Sequence, residues 1–437
     1  MRKCLIIALA LGLVVAFSLP AAALENIFGG YWRTRAYTNQ DFDGHGTGSK
    51  DGTVIDTRTR LYYTAKFSDN LKFVNKFESD AKWGDSDTAG YGDIGADGVK
   101  LEIKNMYIDA NFSEAVNLKV GAQGFALMNG FYMDDDASGA KLTFNLGNVT
   151  LPLMYIKKFE AGFGDDAGED DVDQYAIAPA IKLGDAFTLK PTLAYMRSGD
   201  LRGYAAERDR VGLSGIGTED MDLDLWTLGI GFDGSAGPAS FGLTGIYQGG
   251  SIGNVPTLDG TGAVIGYNDI DISAWLWAVN AKFNVTETAN IHFETFYASG
   301  DDDGDNDYEA FYNPKGASYY WSEIMGYGTF DNDVSNGSPA DAISNIWAIN
   351  VGSGVTVAEK LKLSFDVWYA RLAGEDVFDS ADYEDDSDSL GTEVDFKATY
   401  PLIDNLNLDV IGAYLFADDA TGTEDPWEMG TRLSLSF

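Results

Sequence analysis

Ile55-Asp56-Thr57-Arg58-Thr59-Arg60-Leu61-Tyr62-Tyr63-Thr64-Ala65-Lys66-Phe67 sorts its side chains by parity. Odd positions read Ile55, Thr57, Thr59, Leu61, Tyr63, Ala65 and Phe67; even ones read Asp56, Arg58, Arg60, Tyr62, Thr64 and Lys66. Successive side chains of a strand point to opposite faces, so this stretch predicts a strand with one apolar face and one charged face. The same period recurs in Phe28–Tyr37, Leu71–Trp83, Lys104–Phe112, Leu118–Leu127, Ala140–Leu146, Val149–Glu160, Val172–Leu183 and Phe187–Arg197. It continues in Met221–Asp233, Ala239–Gln248, Asp269–Phe283, Ile291–Ser299, Ile343–Gly352, Leu361–Arg371, Thr392–Tyr400, Leu406–Phe416 and Pro426–Phe437, for eighteen segments in all.

The connections choose among all-β architectures. A long one (Thr38–Thr53) follows the first segment and a tight one (Ser68-Asp69-Asn70) the second, and long and short alternate to the end. A sandwich or propeller has no reason to put every long connection on one edge. A transmembrane antiparallel up-and-down β-barrel does, with long extracellular loops, short periplasmic turns and an even strand number. Eighteen strands are expected, with sixteen the alternative. Pro152, Pro179 and Pro191 fall inside the seventh, eighth and ninth segments. A closed barrel has no edge strand, so each proline requires a bulge or break. The apolar face also changes phase near Trp226 and between Ile272 and Trp275, which calls for further bulges.

Both ends of the chain fit export. Arg2 and Lys3, the apolar run Leu5–Leu19, Pro20 and Ala21-Ala22-Ala23 have the form of a secretory signal peptide over residues 1–23. Residues 24–437 are then one barrel domain, and the single cysteine, Cys4, is a bystander in the leader. At the other end Trp427, Met429, Thr431, Leu433, Leu435 and Phe437 form one apolar face. Here the chain resembles the Gram-negative porin families, whose last strand ends on a terminal Phe. The resemblance implies that Phe437 belongs to the signal read by the barrel-assembly machinery. Val120-Gly121-Ala122-Gln123, with Asp134-Asp135-Asp136 and Gly139, is similar to the "G-R-Q … D-G" stretch of alginate-export-type and related porins. Ala122 stands where those families usually carry arginine.

With 30 basic against 68 acidic residues, the net charge of −38 excludes a nucleic-acid partner. Most of the acids fall in the long loops. With the apolar face toward lipid, opposite positions line a lumen wide enough for water. The basic candidates there are Arg33, Arg35, Arg58, Arg60, Lys72, Lys76, Lys119 and Lys141. The acidic ones are Glu294, Asp366, Glu393, Asp395, Asp409 and Glu428, with Asp269 and Asp271, and Asp222 and Asp224 if the phase changes. A basic wall facing an acidic wall sets a field across a pore; the alternative is that the charges pair and merely solvate it.

The longest loop opens with Asp301, Asp303, Asp305, Asp307 and Glu309, oxygen ligands suited to Ca2+ but without EF-hand spacing. Its aromatic part, Tyr308 to Phe330, is read as a cap on the barrel, with a constriction or a sugar-stacking surface as alternatives. His45 lies in a glycine-rich loop and His292 faces inward beside Glu294; no catalytic motif accompanies either, so no enzyme is expected. The sequence therefore reads as a porin for passive diffusion of small polar or charged solutes. Two rivals are a channel for an anionic polysaccharide and a plugged structural or adhesive barrel. No cofactor is required; Ca2+ or other divalent cations on the acidic loops are the candidate ions. The expected partners are outer-membrane lipid and lipopolysaccharide, the assembly machinery and small polar solutes, with a homotrimer as the candidate assembly.

Overall fold

Inside a bilayer every backbone polar group needs a partner from the chain itself, so a sheet that spans it must close. In the computed structural model it does: the first strand pairs with the second and, antiparallel, with the last. Residues 24–85, 92–94, 100–160, 171–201, 221–258, 264–301, 307–331, 338–358, 360–374 and 388–437 are described; residues 1–23, read from sequence as a leader, lie outside that set. The staves are β1 (Glu25–Gln40), β2 (Gly52–Ser68), β3 (Leu71–Lys82), β4 (Glu102–Ser113), β5 (Val116–Leu127), β6 (Met133–Leu146) and β7 (Val149–Phe159). Then come β8, in two pieces (Val172–Ile177 and Ala180–Leu183), β9 (Phe187–Ser198), β10 (Leu223–Ala236), β11 (Ala239–Leu258), β12 (Val264–Asn284) and β13 (Ala289–Ala298). The ring ends with β14 (Ile346–Val357), β15 (Leu361–Arg371), β16 (Ser389–Ile403), β17 (Leu406–Ala417) and β18 (Trp427–Ser436). Eighteen antiparallel staves make the ring, and a two-residue bridge, Asp307–Tyr308, belongs to the longest loop.

The prolines are accommodated together. β8 is interrupted at 178–179, and its pairing with β7 resumes between Thr150↔Ala180 and Leu153↔Ile177. On its other side the ladder resumes between Leu189↔Ile181 and Leu193↔Ile177 of β9. Pro152, Pro179 and Pro191 therefore flank one gap, and three residues without an N–H share a single interruption. Another difference concerns β6, which begins at Met133. The connection before it is a tight inward turn, Met128–Gly130, where a long external loop was expected.

The expected phase changes are absent. β10 pairs residue for residue with β9 and β11, with no bulge at Trp226, and β12 continues its alternation through Ile272 and Trp275. What changes is the surroundings. Tyr155, Tyr175, Tyr195 and Trp226 are successive cross-strand partners on the outer face, and Tyr247 partners Trp275 in the same belt. Beyond that belt the outer face meets water and the inner face meets the loops. Leu223, Leu225, Ile252 and Ile272 accordingly point inward into an apolar cluster with Met196, Met221 and Tyr312. Asp224, Asp269 and Asp271 are exposed on the outer face, correcting their assignment to the lumen. At the turn end lies a second belt with exposed Phe28, Phe67, Phe112, Phe283 and Phe437. Tyr195 and Phe187 are eight residues apart on β9, roughly 27 Å of strand, or about 20 Å of membrane thickness at a tilt near 40°.

The seam between β18 and β1 is locked at its end. Gly30 N–H donates to the Phe437 carbonyl at 2.8 Å and Phe437 N–H to the Gly30 carbonyl at 3.1 Å. The Phe437 ring occupies the place of a Gly30 side chain: a Cβ there would lie 2.3 Å from its Cζ. Deleting Phe437 removes the last ladder bonds and uncovers this glycine. The temperature at which folded protein in detergent converts to the slow-migrating unfolded form on electrophoresis should fall, and membrane insertion should drop. Wild-type values for both would show that the seam does not depend on this residue.

Candidate functional site

The connection between β13 and β14, in its described residues 307–331 and 338–345, does not cap the barrel. It enters it. Phe311, Ile324, Met325 and Phe330 are at most 1 % exposed; the first three join an apolar core with barrel residues Phe296, Trp368 and Leu415, and Phe330 a smaller one with Tyr37 and Ile411. Phe330 stacks on Tyr37 of β1 at 4.7 Å, beside Gly430, where a Cβ would come within 2.7 Å of the Phe330 ring. Two glutamates of the wall hold the middle of the loop. Glu393, fully buried, accepts the Ile324 and Met325 N–H groups at 2.7 and 2.9 Å, and Glu294 accepts the Tyr319 hydroxyl. The aromatic stretch thus narrows the lumen between the two aromatic belts.

The four arginines share one patch of inner wall. Arg33 and Arg58 are direct cross-strand partners, with Arg35 and Arg60 one step to either side. None is left uncompensated. Arg35 meets its partner Asp56 at 2.6 Å, Arg58 its partner Asp80 at 2.6 Å, and Arg60 its partner Glu78. Asp331 of the loop bonds both Arg33 and Arg35 at 2.8 Å, and the Thr329 carbonyl accepts from Arg35 at 2.7 Å. The basic patch is therefore an anchor for the loop. Of the inward lysines, Lys76 lies 5.2 Å from the Tyr62 ring centre and Lys141 5.2 Å from that of Phe125. Lys119 stands 3.8 Å from Asp109, and Lys72 is in register between Lys66 and Asp109.

The acidic wall is built by register as well. His292, Gly352, Asp366 and Asp395 are successive partners across β13 to β16. His292 Nε2 and Asp366 Oδ1 are 2.6 Å apart, bonded over Gly352, where any Cβ would clash at 2.1 Å with both. Asp409 is neutralised by Arg432 at 2.8 Å and accepts the Thr399 hydroxyl at 2.6 Å. Glu428 is buried at the β18 position opposite Asn39 and Ala413. Between the walls remains a cavity of about 420 Å³ whose lining includes Arg33, Glu294, Tyr320, Asp366, Lys397 and Arg432. Acid and base thus face one another across it.

The calcium candidates are not assembled. Asp303 and Asp305 lie outside the described residues. Asp301 and Asp307 flank that gap, Asp307 in register with Asp271, while Glu309 uses its carbonyl to accept the Ser299 hydroxyl at 2.6 Å. Among the described residues no group of three or more metal-binding side chains forms. At the mouth, Asp43 is wrapped by Thr47, Ser49 and the His45 amide, which hold its carboxyl well below the usual carboxylate range. Several residues were missed as site candidates, among them Lys397 (which shares the parity of Asp395), Arg432, Asp331 and the arginine partners Asp56, Glu78 and Asp80. Arg432 shares the parity of Glu428 and was legible, whereas Asp331 carries no signal outside the folded loop.

No family model and no curated protein matches the chain. Solved structures do match. Pseudomonas aeruginosa OccK9 (OpdG) is 13% identical with a TM-score of 0.59, covering 94% of this chain and 99% of that one. The outer membrane protein opdK from Pseudomonas aeruginosa is 10% identical at TM-score 0.57 over 94% and 98% of the two chains. Acinetobacter baumannii OccAB1 is 13% identical at TM-score 0.56 over 94% and 97%. At such identity the likeness is one of fold, and it extends over nearly the whole barrel.

Glu393 offers a direct check on the loop's anchoring. In Glu393→Ala the Ile324 and Met325 amides lose their acceptor in a buried site, at about 1–3 kcal/mol each. The loop should detach and be cut by protease in detergent while the strand content measured by circular dichroism stays unchanged. A loop as resistant as wild type would place the anchoring elsewhere.

Proposed function

We propose that this chain is an outer-membrane porin of a Gram-negative cell, exported through cleavage of residues 1–23, that lets small polar or charged solutes diffuse passively. The carrying observation is the polar cavity of about 420 Å³ held between loop and wall at the height bracketed by the two aromatic belts. A plugged structural barrel would have no use for opposed, solvated charges at that depth. A dedicated route for an anionic polysaccharide is also disfavoured, because the arginines it would need are already engaged by Asp56, Asp80, Glu78 and Asp331. The stretch behind the alginate-export resemblance has a packing role here. Gly121 and Gly139 are cross-strand partners, and the buried Gln123 amide donates to both carbonyls at 3.4 Å. Insertion through the barrel-assembly machinery, contact with lipopolysaccharide, divalent cations on the acidic loops and assembly as a homotrimer complete this reading. The apolar outer face and the acidic connections support it.

The charge balance of the walls gives the test. In planar bilayers the protein should produce stepwise conductance. Replacing Arg33, Arg35, Arg58 and Arg60 together by glutamine strips four carboxylates of their partners, so the reversal potential in a salt gradient should move toward cation preference. The shift should persist in concentrated salt, where exposed loop charges are screened. No conductance in the wild-type protein would overturn the porin reading. Unchanged selectivity in the variant would place the constriction away from this patch.

A further inference from the structure

The interior holds a second cavity, of about 300 Å³, between the turn Met128–Gly130 and the wall of β8 to β10. At a water's share of roughly 30 Å³ it has room for about ten molecules. Its lining includes Ala180, Lys190, Thr192 and Gly231.

The turn that separates it from the main cavity is built at some conformational cost. Met128 and Asn129 are consecutive non-glycine residues at φ 55° and 57°, a left-handed backbone kept where surrounding contacts impose it. Those contacts come from the far wall. Asn129 donates to the Thr244 hydroxyl at 2.9 Å and accepts from the Lys190 ammonium at 3.1 Å, and Lys190 also pairs with Asp233. Met128 lies against Gly229, where a Cβ would stand 2.8 Å from its side chain. On the other side Phe131 stacks on Tyr319 of the long loop at 4.0 Å and packs against Phe296 of β13 at 5.8 Å. Turn and loop together thus form a bridge from β5 to β10 and β13. The gap in β8 adjoins this second cavity: Ala178 and Ala180, on either side of Pro179, both line it. The one N–H of the gap, that of Ala178, donates to the Pro152 carbonyl at 3.4 Å, and this cavity gives water access to carbonyls left without a ladder partner.

We propose that the bridge divides the lumen into two aqueous lanes, the second passing water and monovalent ions up to the size of an ethylammonium methanethiosulfonate. The larger solutes of the proposed porin function keep to the first lane, and the inference rests on that reading. Lys190, paired with Asp233, and Asp134 give the smaller lane a charge of each sign and make it weakly selective for the sign of the ion.

The chain's one cysteine, Cys4, precedes the described residues, so introduced thiols are readable. Thr192→Cys and Ala180→Cys report on the second lane and Ser364→Cys on the first. Each is treated with a cationic methanethiosulfonate during bilayer recording, with labelling confirmed by mass and folding by heat-modifiable migration. Labelling Thr192→Cys or Ala180→Cys should remove less than half of the current. Labelling Ser364→Cys should remove the larger share, and the Thr192→Cys/Ser364→Cys double variant should lose the sum. Cysteines of the second cavity that stay unlabelled, or a double variant that loses no more than Ser364→Cys alone, would overturn the second lane while leaving the porin reading intact. A wild-type protein that does not conduct overturns both.

Discussion

Lipid offers a peptide group no hydrogen bond, and most of this structure follows from that one fact. It forces the sheet into a ring, and a ring has no place to hide a residue that cannot donate. The three prolines of β7, β8 and β9 are therefore brought to one gap at 178–179, beside a cavity. The same demand makes the meeting of first and last strands the critical joint. It is why Gly30 leaves room for the ring of Phe437.

Alternation is legible because lipid and lumen differ so strongly, and all eighteen staves show in the sequence for that reason. The same clarity misleads once a strand rises above the membrane. β10 and β12 keep their parity throughout, but water replaces lipid outside and packed loops replace water inside. Leu225 and Ile272 then point inward with no bulge. A change of solvent had the same appearance as a change of phase.

The lumenal charges were readable by parity, but their partners were not. Arg58 and Asp80 lie more than twenty residues apart in the chain and bond only because β2 and β3 settle in one register. Asp331 is further removed still, since it reaches Arg33 and Arg35 from a loop whose path no local pattern announces. What alternation gives as a basic wall is, in the folded chain, a set of cross-strand ion pairs on which the loop is hung. The acidic wall has the complementary task. Glu393 grips the loop by its amides, and His292 and Asp366 join three strands across a glycine.

The anchoring of that loop also sets an order of events. Phe330 rests on Tyr37 of β1 beside Gly430 of β18, and Asp331 reaches the arginines of β1, while Glu393 stands on β16. Segments nearly three hundred residues distant must meet before the loop has a seat, and contacts so remote in sequence form late. The narrow passage is then a product of closure: a barrel whose ends have not joined has no constriction. The seating of the loop therefore reports on closure, because both of its anchors on β1 depend on the first and last strands standing side by side.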